Sequence, residues 1–357
     1  MSFTEKFKQI VSSVTSFGTN SANTASQEPQ YTNVRQVLLS APDHIQDGQQ
    51  LAEKFIIPDA ANAQHLTFVG MGGSMHPAFL LKTYLENIGC RKQLNIVRDY
   101  TIPSWVSKKG FLFLISYSGN TAETISAYRQ AYREGYKMLV ITAGGKLQEL
   151  AQKNGIPLIL LPKGYQPRHS VYIMLGALLS ILQNSNIIEK HEHLIQETVR
   201  ILHKPVFETM GKQLAEKING RIPVIYTSPK LADVAQRWKI CFNENAKIHA
   251  FWNVLPELNH NEINAYVTRK GEFHILFLVD DEETKAHRGR ISATKQIVKE
   301  EGYPTTEIVI KGPSYLARLL SAVHIGDWTS YYYAQHLGVD PAQVAVVEKF
   351  KGLLSEE

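Results

Sequence analysis

Cysteine is scarce: Cys90 and Cys241 are the only two in 357 residues, far apart and in no metal-ligand spacing. That excludes a disulfide framework and makes a reducing cytoplasm the expected compartment. Long hydrophobic runs are missing too. The longest, Val171 to Leu182, is about a dozen residues against the ~20 that a membrane span needs, and is expected as a buried helix. Residues 1–32 are polar, rich in Ser, Thr, Asn and Gln, and lack the apolar centre of a signal peptide, so a flexible leader is expected. Neither sign of charge dominates: Lys and Arg number 38, Asp and Glu 33, for a net +5. The densest basic patches, Arg168–His169 and Arg288–Gly289–Arg290, are too short for nucleic-acid arms. Neither a nucleic acid nor a membrane is expected as a partner, whereas a small anionic ligand suits the balance.

The residues that are present describe a globular chain, 44% hydrophobic and 20% charged. Its length suggests two domains, each with a core of its own. From His65 onward a strand–turn–helix pattern repeats. Strands are expected at Leu66–Val69, Leu94–Val97, Phe111–Ser116, Lys137–Thr142 and Ile156–Leu161, with helices at Pro77–Asn87 and Thr121–Glu134. Asn33–Phe55 reads as one or two further helices. After helical segments in Glu192–Ile218 the theme returns. Strands are expected at Ile222–Tyr226, Phe273–Val279 and Glu307–Ile310, and helices at Leu231–Phe242 and Arg290–Glu301. Pro313–Leu337 and Pro341–Leu354 read as closing helices. Alternation of this kind implies right-handed crossovers and parallel sheets covered on both faces. The expected architecture is α/β, two doubly wound parallel sheets in tandem with a helical C-terminus. The boundary is placed between Asn184 and Glu192, giving domains over 33–188 and 189–357.

Two segments between strand and helix could carry chemistry. Gly70-Met71-Gly72-Gly73-Ser74 allows backbone N–H groups to approach a ligand, and the helix that follows attracts an anion. A dinucleotide turn competes, with Asp99 near the end of the next strand where a ribose-binding acid would sit, although position 75 is Met where that fingerprint wants a small residue. A bland tight turn also fits. Ser116-Tyr117-Ser118-Gly119-Asn120-Thr121 clusters hydroxyls and an amide where a helix presents unpaired N–H groups. That set can neutralise a phosphate through neutral hydrogen bonds. The plain alternative is a helix cap, which needs only one of them.

These two segments resemble the sugar isomerase (SIS) domain, whose phosphate-binding signature is similar to Ser-Tyr-Ser-Gly-Asn-Thr. A further pair, Phe242-Asn243-Glu244-Asn245-Ala246-Lys247 and Pro256-Glu257-Leu258-Asn259-His260-Asn261-Glu262, resembles the bifunctional phosphoglucose/phosphomannose isomerases from about residue 60 onward. The resemblance implies two SIS domains, a hexose 6-phosphate substrate, neither cofactor nor metal, and a homodimer with shared active sites. It implies Glu244 as catalytic base, His260 as the ring-opening residue and Lys351 as a lysine near the ring oxygen, with Lys349 two residues away as its rival. It also implies substrate binding by Gly73, Ser74, Ser116, Ser118, Thr121 and Arg168. Without the resemblance, Glu244 reads as a helix-end acid, His260 as a turn residue and Lys351 as one exposed charge, and Glu257 and Glu262 are close enough to be rival bases. The bulky Met75 and His76 depart from the pattern and bear on substrate range.

Overall fold

The computed structural model describes residues 33–190 and 192–355, so the leader expected over 1–32 lies outside the described residues. Contacts group 44–78 with 91–190 as one unit, and 33–43 with 79–90 and 192–355 as another. None of the described helices is long and apolar enough to cross a membrane.

The first unit is built on five parallel strands, β1 (His65–Gly70), β2 (Gln93–Val97), β3 (Phe111–Ile115), β4 (Met138–Thr142) and β5 (Leu158–Leu160), in the order β2-β1-β3-β4-β5. Strands β1, β3 and β4 are buried at every residue. This explains runs such as Phe-Leu-Phe-Leu-Ile, because a parallel strand covered on both faces has no solvent side to make polar. Within the core Phe68 stacks on Phe113 with ring centroids 4.9 Å apart. The helices along this stretch of chain are α1 (Val34–Leu51), α2 (Pro58–Asn62), α3 (His76–Asn87), α4 (Ala122–Glu134), α5 (Gly145–Lys153) and α6 (Val171–Asn184), with residues 34–43 of α1 and 79–87 of α3 grouped with the second unit. As expected of the apolar run, α6 is buried from Val171 to Gln183. Two glycines let it meet α1 backbone to backbone. A Cβ on Gly176 would lie 2.0 Å from the Ile45 carbonyl oxygen, and one on Gly48 would lie 2.0 Å from that of Ile173.

From β1 the chain moves out to β2, then crosses back to β3 on the other side of β1. The loops leaving β1 and β3 therefore diverge at the C-terminal edge of the sheet, which is where doubly wound sheets hold ligands.

The second unit has helices α7 (Glu192–Leu202) and α8 (Val206–Ile218) before its sheet. The sheet comprises β6 (Ile222–Thr227), β7 (Phe251–Val254), β8 (Phe273–Asp280) and β9 (Thr305–Ile310), all parallel, in the order β7-β6-β8-β9. Helix α9 (Ala232–Asn245) joins β6 to β7 and α10 (Lys285–Glu300) joins β8 to β9; α11 (Tyr315–His336) and α12 (Ala345–Ser355) follow. Strand β7 is an addition to the elements expected from sequence. Helix α10 begins five residues before the expected Arg290 because Thr284 caps it, its hydroxyl accepting from the His287 amide at 3.2 Å.

Helix α11 is the spine of this unit, buried from Leu316 to Tyr331. At its centre His324 accepts the Trp328 indole N–H on Nε2 at 3.0 Å. An indole nitrogen only donates, so that imidazole nitrogen carries no proton and the ring is neutral. Burial accordingly lowers the His324 pKa to about 4, and that of His274 on β8 to about 4 as well. Between pH 6.5 and about 4 the unfolded chain then binds more protons than the folded one, so stability falls as pH falls through that window. The midpoint of urea unfolding should drop clearly from pH 7 to pH 5, and the drop should be smaller in His324→Gln. An equal drop in both proteins would show that His324 does not govern the acid limb.

Candidate active site

In the first unit the two loops at the divergence point are physically joined. The Ser74 hydroxyl accepts the Tyr117 amide at 3.0 Å, tying the glycine-rich turn to the hydroxyl-rich one. Ser116, buried at 1% exposure, accepts the Gly119 amide on Oγ at 3.1 Å and stands 2.9 Å from the Thr121 hydroxyl. Ser118, exposed at the tip, accepts from the Asn120 amide at 3.3 Å. Ser74, Ser116 and Ser118 are thus acceptors toward the backbone; the Ser116–Thr121 pair uses one of its two hydroxyl protons internally, and the remaining hydroxyl protons can be donated elsewhere. Thr121 occupies the N-cap position of α4, yet its side chain makes no capping bond. The plain cap reading therefore fails at the residue best placed for it, and the first-turn amides of α4 receive no side-chain acceptor from their own cap.

Gly73 is buried against the short turn Pro167–His169: a Cβ there would lie 2.7 Å from the Arg168 amide nitrogen. Arg168, 2% exposed, sits in that turn. The structure thus brings Gly73, Ser74, Ser116, Ser118, Thr121 and Arg168 into one cluster of contacting loops, all within the first unit. It adds a fourth segment, the loop after β4, that sequence reading missed. Gly119, at φ +68°, has no room for a Cβ, which would fall 1.8 Å from the Gly144 carbonyl oxygen. Lys146 donates its amide to Asn120 Oδ1 at 2.9 Å, and Thr142 Oγ1 donates to the Gly144 carbonyl at 2.9 Å. The signal was present in Thr142-Ala143-Gly144-Gly145, a glycine pair directly after a buried strand.

In the second unit the corresponding corner, between β6 and β8, is filled by the chain's own carboxylates. Glu283 accepts from the Ser228 hydroxyl, from the Thr284 amide at 2.9 Å and from His287 Nδ1 at 3.2 Å. Asp280 accepts from Arg318 Nε at 2.8 Å. An acidic side chain thus lies at the N-terminus of α10, where the first unit offers hydroxyls at that of α4.

Glu244 lies half-buried in the last turn of α9. That helix is firmly anchored. Arg237 Nη2 donates to both oxygens of Asp327 at 2.7 and 2.9 Å, Trp238 Nε1 donates to the Ala322 carbonyl at 2.8 Å, and Asn245 Nδ2 donates to Ser330 Oγ at 2.9 Å. Asn243 closes the helix end by donating to the Ile248 carbonyl at 2.8 Å. The asparagines on either side of Glu244 thus fix the end of the helix that carries it. One turn earlier Cys241 is buried, and burial pushes its thiol pKa well up, so it is no nucleophile.

His260 ends the short turn Glu257–His260, exposed, its ring without a hydrogen-bond partner among the described residues. Its neighbours are engaged: Asn259 Nδ2 donates to Thr294 Oγ1 at 2.7 Å, and Asn261 Nδ2 to Glu257 Oε1 at 2.8 Å. Glu262 accepts from the Tyr226 hydroxyl at 2.5 Å and from Asn253 Nδ2. Both rival bases therefore hold local structure. Lys351 is exposed on α12 and pairs with Glu348 at 2.8 Å. Glu244, His260 and Lys351 belong to three separate elements of the second unit.

Known proteins share this construction. The C-terminal domain of glucosamine-fructose-6-phosphate aminotransferase from Francisella tularensis superposes with a TM-score of 0.69 at 14% identity, covering 90% of this chain and 100% of that one. The family model of the bacterial phospho-glucose isomerase C-terminal SIS domain matches residues 207–354. The bifunctional phosphoglucose/phosphomannose isomerase of Aquifex aeolicus is 36% identical over 299 residues, 83% of this chain and 92% of that protein. A D-glucosamine-6-phosphate 4-epimerase of Sulfolobus acidocaldarius is 30% identical over 301 residues, 83% and 90% respectively. Fold and loops together define the class: an α/β protein of two parallel SIS-type sheets. More particularly, the chain belongs to the bifunctional phosphoglucose/phosphomannose isomerase family.

Proposed function

We propose that this protein interconverts glucose 6-phosphate and mannose 6-phosphate with fructose 6-phosphate through a cis-enediol. The observation that carries the reading is the Ser116–Thr121 loop. Ser116 and Ser118 accept from backbone amides, and the Ser116–Thr121 pair uses one of its two hydroxyl protons internally, so protons remain for a ligand at a helix N-terminus that its own cap residue leaves uncapped. Such a cradle takes a phosphate dianion without lysine or metal. In this reading Ser116, Ser118 and Thr121 hold the phosphate, while Gly73, Ser74 and Arg168 receive the rest of the sugar.

The chemistry follows from the substrate. A closed ring opens when His260 gives a proton to the ring oxygen and the C1 hydroxyl gives one up. Glu244 then takes the C2 proton of the open aldose, forming the enediol, and returns it to C1 as the C2 oxygen becomes the ketone. Lys351 steadies the negative charge that develops on oxygen. Glucose and mannose differ only at C2, so both lose their distinction in the same enediol. The reading includes a cytoplasmic homodimer in which the His260 segment serves the partner's site.

The test is fructose 6-phosphate formation in a coupled assay, from each aldose separately, with EDTA present. Turnover of both aldoses is expected. A chain that binds hexose phosphates but turns over neither would be a sugar-phosphate-binding regulator. Turnover of a 2-amino sugar phosphate at C4 instead would place it beside the epimerase relative.

A further inference from the structure

A pocket of about 320 Å³ in the second unit takes no part in the proposed chemistry. It opens between β6, β7 and the short helical turn Glu262–Thr268, a volume at the lower end of small-molecule sites. Aromatic rings dominate its wall. Phe251 meets Phe273 edge-on at 6.3 Å, Tyr266 meets Tyr303 at 5.1 Å, and Trp252 adds an indole. Phe251 is 51% exposed, so the pocket is reached from solvent.

One lining group is a carboxylate, that of Glu262, and no lining residue is a lysine, arginine or histidine. Its two oxygens accept only from neutral donors, the Tyr226 hydroxyl and the Asn253 amide. No cationic side chain among the described residues pairs with it. The lining phenols do not compete for the role of anion, since burial pushes Tyr226 and Tyr266 well above the ordinary tyrosine range. A carboxylate has about four lone-pair positions, of which these donors use two. The pocket therefore joins an unneutralised negative charge to several π faces, and each attracts the same kind of ligand.

We propose that this pocket binds a small organic ammonium cation, its charge set against Glu262 and its N-alkyl groups against the rings of Trp252, Phe251 and Tyr303. A sugar phosphate is the wrong ligand here, because its charge repels Glu262. The occupant is distinguished from an apolar guest by charge, and from a metal ion by its need for alkyl surface.

The experiment is calorimetric titration of the full chain with choline and with its neutral isostere 3,3-dimethylbutan-1-ol. Choline should bind saturably, and the isostere at least about tenfold more weakly, within the roughly 2- to 30-fold that cation–π attraction spans. Glu262→Gln should reduce that preference to the part that the rings supply. Because this substitution removes an acceptor from Tyr226, Trp252→Leu serves as a second variant, expected to weaken choline alone while the circular dichroism spectrum is kept. Three results would overturn the proposal: no saturable choline binding, equal binding of the isostere, or binding indifferent to both substitutions. Choline binding seen only below the concentration at which the chain self-associates would assign the pocket to a second copy and overturn it too.

Discussion

Glu244→Gln is expected to lower kcat on both aldose phosphates by about 10²–10⁴-fold, with KM little changed. Glutamine keeps the length and planarity of the side chain but cannot accept the proton from C2. Asn243 and Asn245 make bonds that close and anchor the helix end, and the substitution leaves both in place. The hydroxyls proposed to hold the phosphate lie in the other unit and are not altered. The same variant should lose exchange of the C2 hydrogen with solvent deuterium, followed by NMR. Retained exchange would move the base elsewhere and sink the assignment. Glu262, which accepts from Tyr226 and Asn253 and lines a separate pocket, would be a poor replacement.

The largest stability effect is expected at Asp327. Arg237 and Asp327 form a bidentate ion pair with side chains 2% and 3% exposed. Asp327 also accepts from the Cys241 thiol at 3.3 Å. Asp327→Ala leaves a guanidinium buried without its counter-charge, a change that costs about 3–5 kcal/mol. Replacing both partners, as Arg237→Met with Asp327→Leu, should recover most of that loss, since apolar groups need no solvation. Urea unfolding followed by tryptophan fluorescence reports on the right region, because Trp238 and Trp328 flank the pair along α9 and α11. If the single variant unfolds within 1 kcal/mol of wild type, roughly the ceiling for an exposed pair, the pair is not holding α9. The consequence reaches function, since α9 carries Glu244.

Much of this was legible because local pattern and final environment coincide. Buried parallel strands must be apolar on both faces, so Phe111–Ile115 and Met138–Thr142 announce themselves. The all-buried α6 is equally plain. Strand β7 was not, because Phe-Trp-Asn-Val is short and only partly buried, with neither alternation nor a continuous apolar run. The Ser116–Thr121 loop could be found from its residue types, but not its support from Gly144, which arrives from the next strand. Glu257, Glu262 and Glu244 look alike in sequence. The bonds that tie Glu257 and Glu262 to local structure come from partners such as Tyr226, 36 residues away from Glu262, and are set by tertiary packing. Lys351 and Lys349 are both exposed on α12, so neither burial nor exposure ranks them.

The carboxylate of Glu283 at the N-terminus of α10 has a consequence for the economy of the doubled fold. Two sheets of like topology give two corners suited to an anion, but in the second a tethered ligand, the chain's own side chain, is already seated on Ser228, Thr284 and His287. A phosphate arriving there would have to displace this tethered carboxylate, which is held at high effective concentration. On the proposed reading the two halves have therefore parted in role: the first receives the anion, while the second, its own corner occupied, supplies the helix end and turn proposed for proton transfer.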